Sequence, residues 1–243
     1  MIRALAVLAV LAAIVAIGAA FAPASLLAQR VADASGGLVR LADARGTVWS
    51  GEATLSGRDG RWSLPVRWRL EALPLLRGEA KLELLPADAA PGLRGRLTAR
   101  GGTLDARDVE ASVPAAALPL PGGVAASGEV RVAADALRVG GGRDEGTLRL
   151  DWPQARIAVD GIGPLDLGTA TATLAADGTR WRGPLRVRGG MLHVDGEASV
   201  DAGGADIALS IVPQPHAPRV LRQWLPPADA TGAVKLRLAP RFR

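Results

Sequence analysis

Residues 128–132 read Gly-Glu-Val-Arg-Val, and residues 146–150 read Gly-Thr-Leu-Arg-Leu. In both segments a glycine is followed by residues that alternate between polar and apolar. This period of two is typical of a β-strand that buries one face. Glycine also reaches the positive φ that tight turns between strands require. The pattern therefore predicts a turn at the glycine and a strand directly after it.

The same pattern recurs along the chain from residue 38 onward. Further segments of this kind begin at Gly46, Gly51, Gly78, Gly95, Gly168, Gly196 and Gly232. Turn residues at such regular intervals predict a mainly β protein with a twisted antiparallel β-meander. The spacing does not choose among a curved open sheet, a sandwich and a partly closed barrel.

Two stretches share the order strand, proline-rich connection, strand. The first runs from residues 111–114 to a strand at 126–133, and the second from residues 209–213 to a strand at 230–238. In the second connection, residues 218–224 carry apolar side chains at helical spacing and predict a short helix. The similarity predicts a duplication with two related halves, residues 38–138 and 145–243, which join near residues 136–144.

The N-terminal region carries an uncharged run, residues 4–22, which is close to the roughly 20 residues that a helix needs to span a bilayer. A cleavable signal peptide is the competing interpretation, because Ala20-Phe21-Ala22 fits a cleavage site. Pro23 would then follow the scissile bond, which disfavours cleavage. We therefore expect a retained transmembrane helix. Arg3 precedes it, so the positive-inside rule predicts a cytoplasmic N-terminus and an exported remainder.

This interpretation divides the chain into three parts. Residues 1–23 form a cytoplasmic tip and a transmembrane anchor, residues 24–37 a juxtamembrane helix and linker, and residues 38–243 a periplasmic β domain. Pro23 separates the first two parts, since proline breaks or kinks a helix.

The composition excludes several classes of function. The chain has no cysteine, which removes disulfides, thiol nucleophiles and thiolate metal sites. The net charge of +5 comes almost wholly from arginines that alternate with acidic residues, so no basic surface for a nucleic acid is indicated. His193 and His216 lack the spacing of a metal or catalytic pair. Ser50 lacks the Gly-x-Ser-x-Gly turn of a hydrolase.

The remaining polar patterns also indicate no chemistry. The glycines at 140–142 lead into a strand, not into a helix N-terminus that could bind phosphate. The acidic pairs Asp105 with Asp108 and Asp144 with Glu145 have no ligand-dense loop for calcium around them. We therefore expect no enzyme activity, no metal and no cofactor.

Tryptophan is the one residue type that indicates an interface. Trp62 and Trp68 are an even number of positions apart, so both indoles share a face if the strand is continuous. Packing in the core is the ordinary interpretation. The alternative is a face that meets lipid headgroups or a partner, where Trp and Arg are enriched. Trp224 is a third residue for such an interface.

Residues 44–53 read Ala-Arg-Gly-Thr-Val-Trp-Ser-Gly-Glu-Ala, and this stretch resembles type II secretion system protein N. Members of that family carry a Gly-Thr-x-Trp-x-Gly signature shortly after an N-terminal membrane anchor; here it falls on Gly46, Thr47, Trp49 and Gly51. We expect Gly46 to make a turn, Thr47 and Val48 to favour a strand, and Trp49 to anchor the hairpin. The long glycine-punctuated β region and the late Leu-Pro connection also look like that family.

The resemblance implies an accessory scaffold in the bacterial inner membrane, which supports export of folded periplasmic proteins across the outer membrane. Its partners would be the membrane and other type II secretion components, and the family carries over no catalytic residues. The repeated amphipathic strands are also similar to AsmA-like proteins. That alternative implies a periplasmic lipid-binding or lipid-transfer protein, with lipid as a partner.

Overall fold

The computed structural model describes residue 24 and residues 39–57, 60, 62–86, 92–118, 123–201, 203–215, 217–218, 226–230 and 232–239. The predicted anchor, nearly all of the juxtamembrane helix, most of the predicted helix at 218–224 and His216 lie outside these ranges. Within them, no helix has both the length and the apolar character needed to cross a membrane. The chain is mainly β, as the alternation predicts, and it divides into two compact units, Met1–Leu93 and Arg94–Arg243.

The described residues of the first unit form an antiparallel meander of four strands and one short helix. Its elements are β1 (Val39–Gly46), β2 (Ser50–Gly57), β3 (Ser63–Leu70), α1 (Ala72–Leu75) and β4 (Glu79–Leu85). β1 pairs with β2, β2 with β3, and β3 with β4.

Alternation along β3 shows why this sheet forms. Leu64, Val66 and Trp68 are buried on one face, while Arg67 and Arg69 lie on the other. Burying each of these large apolar side chains contributes about 1.5 to 3 kcal/mol. The core of this unit also contains Ala24 and Ala53.

The described residues of the second unit form ten strands. They are β5 (Arg94–Arg100), β6 (Thr103–Pro114), β7 (Val124–Ser127), β8 (Glu129–Gly140), β9 (Glu145–Val159), β10 (Gly163–Asp177), β11 (Arg180–Gly189), β12 (Leu192–Asp201), β13 (Gly204–Pro213) and β14 (Val234–Leu238). Apart from β7, they follow one another across an antiparallel sheet in chain order. Among the described strands β14 pairs with β13 alone and β1 pairs with β2 alone, so both end strands keep an unpaired edge and the strand order is open.

Each proline-rich connection lies between strands of the sheet, as predicted, and the structure shows that a strand before it pairs with a strand after it. Pro114 of β6 lies opposite Glu129 of β8, and Ile211 of β13 lies opposite Val234 of β14. Buried alanines from both connections, Ala115 and Ala217, pack in one core cluster with apolar side chains of the sheet. The connections thus cover part of the apolar face.

The strand predicted at residues 126–133 is broken in the structure. Ser127 ends β7 and Gly128 separates it from β8, although both strands pair with β9. The indole of Trp152 fills the break, and its Nε1 donates to the carbonyl oxygen of Ser127 at 3.2 Å. A side chain at Gly128 would lie 3.1 Å from that nitrogen. The strand predicted from residue 230 begins later, at Val234.

The prediction that a glycine precedes each strand is correct at some positions and wrong at others. It is correct at Gly78, Gly128 and Gly232, and wrong at Gly146 and Gly196, which lie inside β9 and β12. Gly168 instead lies inside β10 with a φ of +77°, where the pairing with β9 shifts register. A Cβ there would stand 2.2 Å from the carbonyl oxygen of Arg188. Close approach of a neighbouring backbone, not a turn, requires this glycine.

The predicted junction between two related halves does not coincide with the boundary between the compact units. Residues 136–144 contain the end of β8 and the turn to β9, both inside the second unit. The boundary between compact units follows Leu93. The relation between residues 38–138 and 145–243 stays a prediction.

Candidate functional site

The signature residues form the turn between β1 and β2. Gly46 ends β1 with a φ of +94°, and Ser50 begins β2. The amide of Thr47 donates to the carbonyl oxygen of Ser50 at 2.9 Å, and the amide of Ser50 donates to Thr47 Oγ1 at 3.2 Å. The threonine hydroxyl therefore helps to close the turn.

This geometry corrects the expectation that Thr47 and Val48 continue a strand. Both residues lie in the turn between Gly46 and Ser50. The reason is local, because a threonine hydroxyl can bond to a nearby backbone amide and compete with ladder pairing. A β-branched residue favours a strand only where its backbone groups pair with a neighbouring strand and no local side-chain bond takes their place.

The indole of Trp68 ties the turn to the core of the first unit. Trp68 is 5% exposed, and its Nε1 donates to the carbonyl oxygen of Val48 at 3.2 Å. Its ring lies over Gly51, where a Cβ would stand 2.5 Å from Cζ2. Glycine is thus required at 51 by the close approach of this ring.

Trp49 also contributes to the turn, through its backbone. Its carbonyl oxygen accepts a hydrogen bond from the amide of Leu70 at 2.6 Å, and its side chain is half-buried. β3 therefore holds the turn at two points, by the indole of Trp68 and by the amide of Leu70. Sequence reasoning selected Trp49 as the anchor and did not connect Trp68 to the signature.

The tryptophans considered for an interface have different surroundings. Trp68 packs against Val66, Ala53 and Ala24 in the core of the first unit, which agrees with the ordinary interpretation of a core residue. Trp62 is half-buried and precedes β3. Trp224 lies outside the described residues. A partner or lipid interface at Trp62 and Trp224 stays a prediction.

A polar cleft of about 270 Å³ lies on the first unit beside the signature turn. Asp43, Arg45, Glu52 and Arg67 supply its charged groups. Asp43 has a φ of +53°, where the pairing of β1 with β2 shifts register. Arg67 Nε lies 3.7 Å from a carboxylate oxygen of Glu52. Two acids and two arginines can form ionic contacts with a polar polypeptide segment.

Helix α1 and its C-cap residue Leu76 carry a cluster of exposed apolar side chains that sequence reasoning missed. Leu73 and Leu76 are 78% and 85% exposed, and Leu75 is also exposed. The signal in the sequence was the run Leu73-Pro74-Leu75-Leu76, which does not alternate and so departs from the strand pattern on either side.

The acidic pairs considered for calcium are engaged within the fold. Asp144 accepts a hydrogen bond from the amide of Gly140 at 3.1 Å and another from Trp181 Nε1 at 3.1 Å. Asp105 pairs with Arg138 at 2.7 Å. In the described part of the chain, no group of three or more His, Asp or Glu side chains is arranged to hold a metal ion. His193 lies 3.4 Å from Asp195 on the surface of β12.

Arginines on the polar face of the second unit pair with aspartates of neighbouring strands. Three of these pairs lower the pKa of the aspartate: Arg188 with Asp195, Arg180 with Asp201, and Arg237 with Asp206. Hydrogen bonds from the guanidinium groups of Arg188 and Arg237 lower the pKa of their aspartates. The pKa of Asp201 is lowered first by the amide of Gly203 and then by Arg180. At these three positions each arginine therefore compensates the charge of an aspartate.

Fold and site together define a class of protein: an antiparallel β protein of two units, whose first unit has a glycine-framed turn locked by a buried tryptophan. The chain belongs to the type II secretion system protein N family, whose model matches residues 37–237. The comparison with curated proteins and the comparison with solved structures each gave no match. Membership makes the chain a type II secretion system component and implies contacts with other components of that system. The resemblance to AsmA-like proteins receives no support.

Proposed function

We propose that the chain is a scaffold of the type II secretion system, held in the bacterial inner membrane by one helix with its N-terminus in the cytoplasm. Its β units lie in the periplasm and support export of folded proteins across the outer membrane. The observation that carries the proposal is the family match, which spans both units from residue 37 to residue 237. The apolar run at residues 4–22 and the preceding Arg3 support the anchor and its orientation.

A scaffold role is supported by how the polar groups are used. Described carboxylates such as Asp195 and Asp206 accept hydrogen bonds from arginines of the neighbouring strand in their own unit. Cross-strand pairs of this kind fix strand register and hold a sheet surface in one arrangement. A surface with a constant arrangement is what a protein needs to position several partners.

Deletion of the gene tests the secretion role. We expect secreted enzymes to accumulate in the periplasm while the outer membrane stays intact, and plasmid-borne wild-type protein to restore them to the medium. Periplasmic marker release and outer-membrane lipid composition are measured in the same cultures. Normal secretion by the deletion strain would contradict the proposal, and a leaky, lipid-altered envelope with normal secretion would favour lipid handling.

Site-specific labelling tests the topology separately. The chain has no cysteine, so a single introduced thiol is a unique reporter. In spheroplasts, a membrane-impermeant maleimide should label Ser63→Cys, whose site is exposed at the start of β3. Ile2→Cys should be labelled only after lysis. The reverse pattern, or equal labelling of both variants before lysis, would contradict the proposed orientation.

A further inference from the structure

Helix α1 and Leu76 directly after it present exposed apolar side chains. No described residue of the first unit covers them. Leu73 and Leu76 are the two most exposed large apolar side chains described in the chain, and Leu75 extends the patch. Soluble surfaces expose single leucines often, but a contiguous apolar patch at a loop tip usually marks an interaction site. The remaining question is what occupies it.

Helix α1 lies at the same end of the β1–β4 strands as the signature turn. The amide of Leu70, at the end of β3, donates to the carbonyl oxygen of Trp49 in the signature turn. The helix begins two residues later, at Ala72. The exposed leucines and the signature turn therefore lie at the same end of the β1–β4 sheet.

Ala24 connects this end of the sheet to the apolar run. It is 2% exposed in the core of the first unit, and its amide donates to the carbonyl oxygen of Gly46 at 3.4 Å. The run ends at Ala22. Two residues of chain span at most about 7 Å. The proposed anchor would therefore end two residues before Ala24, which lies at the end of the sheet that carries the signature turn.

We propose that Leu73 and Leu76 insert into the interfacial layer of the phospholipid bilayer that holds the N-terminal helix. This rests on the anchor in the proposed function, since the anchor brings this end of the sheet to the membrane. Apolar side chains of peripheral helices sit about 5 to 10 Å into the boundary between headgroups and acyl chains. Exposed Arg77 follows directly and suits a headgroup phosphate, because arginine can keep its stem along apolar surface and its guanidinium in the polar layer.

The insertion fixes the first unit against the membrane at two points, the anchor and α1. A single helix followed by a flexible segment would leave the β units free to rotate. With α1 inserted, the signature turn faces the bilayer and the opposite end of the sheet, where β2 joins β3, faces the periplasm. The orientation offered to other secretion components is then defined.

Depth-dependent fluorescence quenching tests the insertion in the full chain. Leu73→Cys, Leu76→Cys and the control Ser63→Cys each carry one thiol, labelled with the same environment-sensitive fluorophore. Ser63 is exposed and lies at the other end of β3, about 23 Å from Leu70 at the strand rise of about 3.3 Å per residue. Each labelled chain is reconstituted into vesicles of phosphatidylethanolamine and phosphatidylglycerol that contain a lipid with a spin label near the headgroup.

We expect the labels at 73 and 76 to be quenched about twofold or more beyond the label at 63, with emission shifted to the blue, as interfacial burial requires. Circular dichroism checks that the variants keep the wild-type β content, which exposed positions should allow. Flotation of the vesicles in a density gradient, after a carbonate wash, measures retention by the anchor independently.

The possible results separate the insertion from the anchor. Equal quenching at all three positions in chains that float would overturn the insertion and leave the anchor standing. Chains that do not float after the wash would overturn both. Strong quenching at 73 and 76 in floating chains establishes the lipid surface as the occupant of the α1 patch.

Discussion

Gly51→Ala tests why the signature requires glycine at its last position. Gly51 has no positive φ, so alanine meets no backbone penalty there. The added Cβ would stand 2.4 Å from the carbonyl oxygen of Arg45 and 2.5 Å from Cζ2 of Trp68. Each contact must lengthen by about 1 Å to reach ordinary van der Waals separation, and overpacking of this kind costs about 1 to 3 kcal/mol. Because a backbone oxygen cannot move away by rotation of a side chain, we expect about 3 kcal/mol.

Urea unfolding of the purified full chain in detergent, followed by tryptophan fluorescence and circular dichroism, measures this cost. Gly78→Ala is the matched control, because Gly78 has a φ of +75° and no atom within 4 Å of the added methyl group. That variant bears only the left-handed backbone penalty of about 1 kcal/mol. The two alanine variants should therefore differ by about 2 kcal/mol, an estimate from the same overpacking and backbone costs.

A double variant separates the two contacts. In Gly51→Ala combined with Trp68→Ala, the ring contact is gone and only the contact with Arg45 remains. The combined cost should therefore fall short of the sum of the two single costs by about 1 kcal/mol or more, as expected for residues in contact. Equal costs for the alanine variants at 51 and 78, together with additivity in the double variant, would refute close approach as the reason for glycine.

Three further predictions concern other contacts. Trp152→Phe removes the donor to Ser127 and should cost about 1 to 3 kcal/mol in the same urea assay, whereas a cost near zero would mean that water replaces the indole. Thr47→Val should destabilise the chain by about 1 kcal/mol and Thr47→Ser by less, since only serine keeps the hydroxyl that accepts a backbone amide; equal losses would contradict this role. Arg237 lowers the pKa of Asp206, so their pair stabilises the fold above the ordinary aspartate pKa of about 3.9 and ceases to do so as the pH falls through the lowered value. Asp206→Asn should therefore lose less melting temperature on acidification below about pH 4 than wild type, and parallel curves would contradict the assignment.

Much of the fold is predictable from patterns that lie within a few residues of one another. Alternation of apolar and polar residues predicts strands with one buried face, and β3, which buries Leu64, Val66 and Trp68, is such a strand. The two proline-rich connections are recognisable because proline and glycine interrupt the alternation. The signature stretch likewise indicated the family, which the match over residues 37–237 confirms.

The details of the site were less predictable, because they depend on residues distant in sequence. Trp68 reaches the signature turn through pairing of β2 with β3, which sets Gly51 opposite it. The glycines illustrate the same limit. A turn glycine such as Gly78 and an interior glycine such as Gly168 look alike in sequence, and only the neighbouring strand distinguishes them.

The sequence by itself determined the mainly β character, the alternation that gives strands one buried face, the presence of two proline-rich connections, and the family. These follow from side-chain polarity and local backbone preference, which act over a few residues. Only the tertiary structure decided that the strand order is open, that Thr47 closes a turn, that Trp68 locks it, and that Leu73 and Leu76 remain uncovered at the end of the sheet near Ala24. These depend on strand register and on which surfaces meet, and both are set by contacts between residues far apart in the chain.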